Sequence, residues 1–572
     1  MIRLPTDNEF HPDSQLNCLL VQPKFEELNY WNFLEGARSI GAKAAAPPLG
    51  LLTVAAILPQ HWNFKLVDLN VEPLTDEHLE WADLVCTGGM LPQQGGILEI
   101  VERANQLGLF TVVGGPDPTS QPDLYESAKA IVTGEGEASI PVWLRSWRAG
   151  KPNGIFGADR TVDVSKSPVP KFELVSFDDY LHVGLQTSRG CPYNCEFCDI
   201  IELYGRKPRV KTPEQFTSEL QRLKDLGYRG WIDIADDNFI GNRQKIKPVL
   251  INAAEWMKEN RFPFIFSTEA SVNLADDEEL LELMRACDFR YVFCGIETPD
   301  PEVLAQTQKR INTVKPLQER IQRIYEAGIS VTAGFIIGFD SERDDVHKTL
   351  IPFIEESGIM MAMVGLLYAL PNTQLTRRLK KEGRMISDMG EWIPSGDQDY
   401  RVHVSKGVDH MVAGLNFVTQ RDRIDIYRDL KKVVETIYSP RVFLDRVLST
   451  TGRIKLRSKH VPNWWELKRM VRGFRHVSWQ LLKNRETRWL YLRNAWKTMW
   501  MGPEKFEFAH TIMGGYLHFQ KTTANMLEEL ENSIQFAEQD ATYPRSVSEM
   551  PAESRPKVKL PVASATPSPA EK

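Results

Sequence analysis

The residues best suited to chemistry in this chain are three cysteines in one short run, Gly190-Cys191-Pro192-Tyr193-Asn194-Cys195-Glu196-Phe197-Cys198. The CxxxCxxC spacing gathers three soft thiolates that can hold three irons of one cubane cluster, leaving the fourth iron without a protein ligand. An iron with an open position can bind and reduce a small molecule, which a cluster sealed by four cysteines does not readily do. Zinc is the competing use of clustered thiols. It wants four donors, usually from paired CxxC knuckles, and no second pair exists in the chain. Cys18, Cys86, Cys287 and Cys294 stand singly in apolar segments and read as small buried hydrophobes.

Two series of alternating strands and helices flank the motif. In the first, Leu16–Lys24, Phe64–Leu69, Leu84–Gly89, Phe110–Gly115 and Ala130–Gly136 read as buried strands, with helices between them. This implies a doubly wound, Rossmann-like parallel sheet over 15–150, with a ligand beyond its C-terminal strand ends. Those ends carry Gly88, Gly89, Gly114, Gly115, Gly134, Glu135 and Gly136, and glycines let backbone approach a flat or phosphorylated ligand. Residues 151–180 read as a linker. Strands near Trp231–Ala235, Phe264–Thr268, Tyr291–Gly295, Ser330–Gly334 and Gly365–Ala369, with one before Cys191, then give six βα units over 181–400. Six units suffice for a partial (β/α)6 TIM-like barrel, whose functional end is the C-terminal end of its strands. Residues 401–540 read as an all-α domain, and 541–572, rich in Pro, Ser, Ala and charge, as a disordered tail.

At 572 residues the chain is too long for one core. Its 42% hydrophobic and 25% charged residues are ordinary for a globular protein, and a net charge of −7 gives no reason to expect nucleic acid as a partner. No leader pattern and no apolar run of about 18 residues is visible, so the expected location is cytoplasmic, at most peripheral to the inner face of a membrane.

The cysteine spacing, with Phe197 before the last thiol, resembles the radical S-adenosylmethionine (SAM) superfamily. The resemblance implies that Cys191, Cys195 and Cys198 hold a [4Fe–4S] cluster whose open iron chelates SAM and splits it to a 5′-deoxyadenosyl radical. It further implies SAM contacts at the barrel strand ends: Asp236, Asp237, Asn238, Ser267, Glu269, Glu297 and Gly338. Helix caps and salt bridges are the ordinary alternative for such acids. The first series, with Pro47-Pro48-Leu49-Gly50, Gly114-Gly115-Pro116-Asp117 and Gly134-Glu135-Gly136-Glu137, resembles the cobalamin-binding domain fused to many radical SAM proteins. It lacks the Asp-x-His-x-x-Gly motif of other cobalamin proteins. A degenerate sheet that binds nothing is the alternative.

The subset with an added helical domain resembles the enzymes that methylate hopanoid lipids. That implies a C-methyltransferase acting on an unactivated carbon of a lipid or other small molecule, supplied with electrons by a flavodoxin or ferredoxin. Relatives include a tetrapyrrole oxidative cyclase, so ring formation without methyl transfer stays open, as does a non-catalytic iron–sulfur sensor. The C-terminal helices are expected to serve as a lid over the radical site. Between Arg453 and Lys497 stand 13 basic residues and two acids, interleaved with Trp464, Trp465, Phe474, Trp479, Trp489, Tyr491 and Trp496. Aromatic packing on the barrel is the first reading of that segment, and peripheral membrane contact through 453–500 the second.

Overall fold

In the computed structural model, residues 10–25, 29–158, 161–386, 392–393, 414–539, 544–552 and 554–556 are described. The stretch between the expected barrel and helical domain, 394–413, and the tail beyond 556 lie outside the described residues.

The first sheet has six parallel strands: β1 (Asn17–Gln22), β2 (Asn63–Asp68), β3 (Leu84–Gly88), β4 (Phe110–Gly114), β5 (Ala130–Val132) and β6 (Gly154–Phe156). Their order is β2-β1-β3-β4-β5-β6. The central strands are apolar throughout because both faces are covered. On β1, Cys18 and Leu20 join one cluster with Leu51 and Trp143, while Leu19 and Val21 join another with Leu79 and Ile100. The order reverses between β1 and β3, which is where a ligand crevice opens in such sheets. Glycine is required there. A Cβ on Gly88 would lie 2.0 Å from the Gly114 carbonyl oxygen, and Gly115 has φ +103 with Gly89 N at 3.0 Å from its Cβ position. β6 falls inside the stretch expected as a linker. It is only three residues long, and two of them are exposed, so it carries little hydrophobic signal.

The second sheet begins with β7 (Val183–Leu185). A small antiparallel pair follows, β8 (Ser188–Arg189) with β9 (Arg209–Val210), and the cysteines lie in the loop between them. The sheet continues with β10 (Gly230–Ile234), β11 (Phe264–Glu269), β12 (Phe289–Glu297), β13 (Ser330–Ile337) and β14 (Ala362–Leu366), ordered β14-β13-β12-β11-β10-β7, all parallel. β7 and β14 are its two edges, so the barrel is open. β14 starts three residues before the expected Gly365.

From 414 onward the described residues form five α-helices: Arg423–Ile437, Pro440–Arg453, Trp464–Lys483, Arg488–Met499 and Pro503–Gln539. The first starts where Arg423 donates to Leu415 O, past the end of β14, and the layer reaches the N-terminal ends of the barrel strands. Tyr438 OH donates to Ala362 O at 2.7 Å, Thr450 Oγ1 to Gly358 O at 2.8 Å, and Phe508 stacks on Tyr291 with centroids 6.1 Å apart. The expected lid over the radical site is therefore a floor, at the end of the barrel opposite the cysteines. Part of the expected tail is also packed. Val547 N donates to Thr419 O at 2.8 Å and Met550 is buried against Ile386 and Val418.

The close approach of β3 and β4 makes a direct prediction. Gly88→Ala should lower unfolding stability by about 1–3 kcal/mol, the usual scale of overpacking, measured by denaturant unfolding.

Candidate active site

The cysteine loop starts at Gly190, whose φ of +91 and close neighbours (Gly205 O would lie 2.8 Å from a Cβ) exclude any other residue without strain. Cys191 N donates to Gly205 O and Cys198 N to Cys195 O, both at 3.3 Å, which folds the loop back on itself. All three thiols are free and half-buried.

Four groups of residues, distant in sequence, clamp this loop. Asp236, Asp237 and Asn238, just past β10, form the first. The Asp236 carboxylate accepts from Thr187 N at 2.6 Å, from Ser188 N at 2.9 Å and from Ser188 Oγ at 2.7 Å, as well as from the Thr187 hydroxyl. Asp237 accepts from Gly190 N at 2.7 Å, and Asn238 Nδ2 lies 3.7 Å from Cys191 Sγ. Past β12, Thr307 O accepts from Glu196 N at 3.2 Å, and Lys309 pairs with Glu297 beside Cys195 and Cys198. Past β14, Arg378 binds the Glu196 carboxylate at 2.9 and 3.2 Å. The fourth clamp comes from the first sheet. Arg189 reaches Glu137 at 2.7 and 2.9 Å and Glu135 at 3.0 Å, while Arg209 binds Glu135 at 2.6 and 2.8 Å.

These contacts reassign several expected ligand residues. Asp236 turns back to hold Thr187 and Ser188, so its oxygens are spent on the loop. Asn238 braces Cys191 and Ser271. Ser267 accepts from Trp231 Nε1 at 2.6 Å and donates to Asp233. At Gly338, a Cβ would lie 2.8 Å from Leu415 Cδ2, so that side of the residue is already covered. Glu135, expected to touch cobalamin, is committed to Arg189 and Arg209, and Gly136 packs on Ile140 and Ile57. Gly88, Gly114 and Gly115 meet backbone at the switch point, the Gln93 side chain lies against Gly89, and the Cβ position of Gly134 has only Ser139 Oγ nearby, at 3.8 Å.

Glu269 and Glu297 remain facing the barrel end. Glu297 sits at a register shift between β12 and β13 with φ +64, a conformation a non-glycine residue adopts at a cost. The bulge turns its carboxylate onto Lys309, and Gly295 leaves room for the pair. The Glu269 carboxylate has no hydrogen-bond partner among the described residues, although its backbone carbonyl accepts from Phe239 N at 2.9 Å. Burial, with the nearby acids Asp233, Asp237 and Asp236, pushes its carboxyl up to about 8. Burial likewise raises Asp237 to about 6, with Asp236 adding to the shift against the Gly190 N–H. Half-buried side chains on alternate strand positions line the lumen between the sheet and these acids. Trp231 lies near His182 and Tyr291, at 4.7 and 5.9 Å, and Phe293 near Trp31 at 5.1 Å.

The donor set fits an iron–sulfur cluster. Burial pushes the Cys195 thiol up to about 11 and raises Cys198 well above the usual thiol range, while Lys309 pulls Cys195 down; thiolates in such a place need a positive partner, which cluster iron supplies. Among the described residues no three His, Cys, Asp or Glu side chains are spaced as ligands of one metal ion. A cubane does not ask for that spacing, because its three thiolates sit on three different irons.

Residues 185–351 match the model of the radical SAM superfamily, and 373–532 match DUF4070, a domain of unknown function. An uncharacterized methyltransferase of Synechocystis, sll1242, is 37% identical over 525 residues, covering 91% of this chain and 94% of that protein. The chain belongs to the radical SAM superfamily. The hopanoid C-2 methylase of Rhodopseudomonas palustris is 40% identical to this radical SAM enzyme over 349 residues, 60% of this chain and 66% of the methylase. In fold, the chain is similar to the radical SAM methyltransferase TsrM from Kitasatospora setae, solved with cobalamin and a [4Fe–4S] cluster. That match has a TM-score of 0.58 at 14% identity, over 81% of this chain and 99% of TsrM.

Arg189, Glu196, Lys309 and Arg378 are site residues that sequence reasoning missed, and Glu137 reads from sequence only as part of the motif of the first sheet, without its pairing to Arg189. Arg189 and Glu196 carried one signal, their adjacency to the cysteines. Two measurements test the site's electrostatics. Arg189→Met strands Glu137 and Glu135 without their shared cation and should cost about 3–5 kcal/mol in unfolding free energy. Glu269 binds its proton more tightly folded than unfolded, so its effect is a loss of stability as pH rises from about 4.5 to about 8. Glu269→Gln should match the parent at pH 4 and exceed it at pH 8 in urea unfolding.

Proposed function

We propose that this radical SAM enzyme is a cobalamin-dependent C-methyltransferase acting on an unactivated carbon of a lipid-like polycyclic substrate. The observation that carries the reading is the joint between the sheets. Arg189, two residues before Cys191, binds the acids that follow Gly134, which brings the cysteine loop against the glycine edge of the first sheet.

In this reading Cys191, Cys195 and Cys198 hold a [4Fe–4S] cluster. Lys309 and Glu269 receive the carboxylate and the cationic portions of SAM, and Gly88, Gly89, Gly114, Gly115 and Gly134 receive cobalamin. When bound, these groups supply a hydrogen-abstracting radical and a transferable methyl group. The chain's own residues hold, orient and keep dry. Asp236 and Asp237 fix the start of the cysteine loop, Arg378 fixes Glu196 within it, and Lys309 sets positive charge beside two of its thiols. An unpaired Glu269 with a raised proton affinity favours a cationic ligand, which would draw its carboxyl back down. Trp231, Tyr291, Phe293 and Trp31 give the lumen an aromatic wall suited to a hydrocarbon skeleton. The similarity to the hopanoid C-2 methylase supports the lipid class. A flavodoxin- or ferredoxin-type protein would supply electrons.

The test has two parts. Anaerobically reconstituted protein with reductant and SAM should form 5′-deoxyadenosine, and Cys195→Ala should abolish it. Lipid extracts of a deletion strain should lack a compound whose mass exceeds its accumulated precursor by one methylene. Accumulation of a precursor differing by ring closure instead overturns methyl transfer, and a loaded cluster that never cleaves SAM, with or without lipid extract, overturns catalysis.

A further inference from the structure

The helices Trp464–Lys483 and Arg488–Met499 turn an apolar face outward. On the second, the positions turned inward are Tyr491, Asn494 and Thr498, all buried. They are satisfied by polar bonds: Tyr491 OH with Ser478 Oγ at 2.7 Å, Asn494 Nδ2 to Leu444 O at 2.6 Å and Thr498 Oγ1 to Asn494 O at 2.7 Å. The opposite stripe, at i, i+3, i+7, i+10 and i+11, is Trp489, Leu492, Trp496, Met499 and Trp500. The three tryptophans there are 74%, 61% and 74% exposed. The first helix also carries apolar residues on its outward side. Gly473, Val477 and Leu481 face inward, Gly473 against Ile40 and Val477 against Gly514. Trp464, Leu467, Met470, Val471 and Phe474 are exposed, and so is Trp479, at 67%. An amphipathic helix on a globular surface normally buries its apolar stripe, and exposed apolar area on this scale marks an interaction surface.

The charges identify the partner. Between Trp464 and Trp500 stand nine Lys and Arg residues against Glu466 and Glu486. Glu466 is buried in pairs with His460 and Arg229, which leaves Glu486 as the one acid facing outward. Arg475, Lys483, Arg485 and Lys497 have no ion-pair partner among the described residues. No helix of the described chain is long and apolar enough to cross a membrane. Indoles and aliphatic side chains facing outward among unpaired cations suit a surface that is apolar within and anionic at its face.

We propose that this helical pair docks the enzyme onto an anionic lipid bilayer, lying in the interface with Trp489, Trp496, Trp500, Trp464 and Trp479 inserted. The inference deepens the lipid-substrate reading and rests on it for its purpose. Its test needs neither substrate nor cofactor, so it can fail while that reading stands. The Trp464 helix docks by Arg229 to Glu466, Arg469 to Tyr180 O at 2.6 Å and Trp465 to Asp178 at 2.8 Å. These anchors flank the starts of β7 and β10, the floor end of the barrel. The docked face and the cysteine loop thus lie toward opposite ends of the lumen.

The experiment is co-sedimentation of the full chain with vesicles of phosphatidylcholine alone and of equal parts phosphatidylcholine and phosphatidylglycerol, with tryptophan emission recorded. Binding to the anionic vesicles with a blue shift is expected. Trp489→Ser/Trp496→Ser/Trp500→Ser should weaken it about tenfold or more, the scale of losing three inserted indoles, with circular dichroism and melting temperature unchanged. Arg475→Gln/Lys483→Gln/Arg485→Gln/Lys497→Gln should remove the preference for anionic lipid. No sedimentation with either vesicle overturns the proposal, as does equal binding by the triple tryptophan variant. A dimer that the triple variant converts to monomer overturns it in favour of a second copy on this face, and RNA binding lost in the charge variant without vesicle binding overturns it in favour of nucleic acid.

Discussion

The pairing of Arg189 with Glu137 and Glu135 is the constraint on which the site depends. It joins the cysteine loop to the first sheet, 52 and 54 residues away in sequence. Burial opposes the charge on Glu137, yet Arg189 and Ser167 hold its carboxyl down at about 2. A buried cluster of this kind gives little net stability, because desolvation offsets most of the attraction. Its value is geometric. A planar guanidinium answered by two carboxylates admits one arrangement of the two sheets, and an apolar contact of equal area would let them slide. Two large cofactors meeting at one substrate carbon need that fixed distance.

The loop itself has little secondary structure to hold it, and its clamps supply what a helix or strand would otherwise provide. Asp236 satisfies two backbone N–H groups and two hydroxyls at the loop's entry. Glu297 accepts a strained backbone to keep Lys309 beside Cys195 and Cys198. Each clamp comes from the C-terminal end of a different strand, so the order of the barrel is converted into the position of three sulfurs. A free-standing CxxxCxxC peptide would have the donors without the placement.

That conversion also explains which features were legible from sequence. Soft donors spaced within eight residues declare their chemistry locally, and buried parallel strands declare themselves as apolar runs, so the cysteines, eleven of the parallel strands and the glycine edge could be read directly. What an acid at a strand end does depends on partners 12 to 182 residues away, and no local pattern separates Asp236, which braces the loop, from Glu269, which faces the lumen unpaired. β6 was hidden because three residues with two exposed make no periodic signal. The Arg/Trp-rich segment was legible as amphipathic helices. Which face pointed outward was not, because both faces carry apolar residues: Val477, Leu481 and Tyr491 pack inward while Trp479, Trp489 and Trp496 point out.

The direction of the helical layer changes how the enzyme's traffic must run. Helices that grip Ala362, Gly358 and Tyr291 close the N-terminal end of the barrel, while the first sheet faces the other end through Arg189. Soluble, charged cofactors then belong to the end where Glu297, Lys309 and the glycine edge stand. A hydrocarbon substrate has no such partners there. Its favourable contacts are the aromatic side chains along the lumen, which lie between the cysteine loop and the floor, and the tryptophan-bearing helices are anchored beside that floor. On the proposed reading, polarity sorts the two kinds of ligand without a gate: a charged group placed against the aromatic wall, or a bare hydrocarbon placed in the ion-pair joint, is opposed by desolvation in the first case and by lost hydrogen bonding in the second.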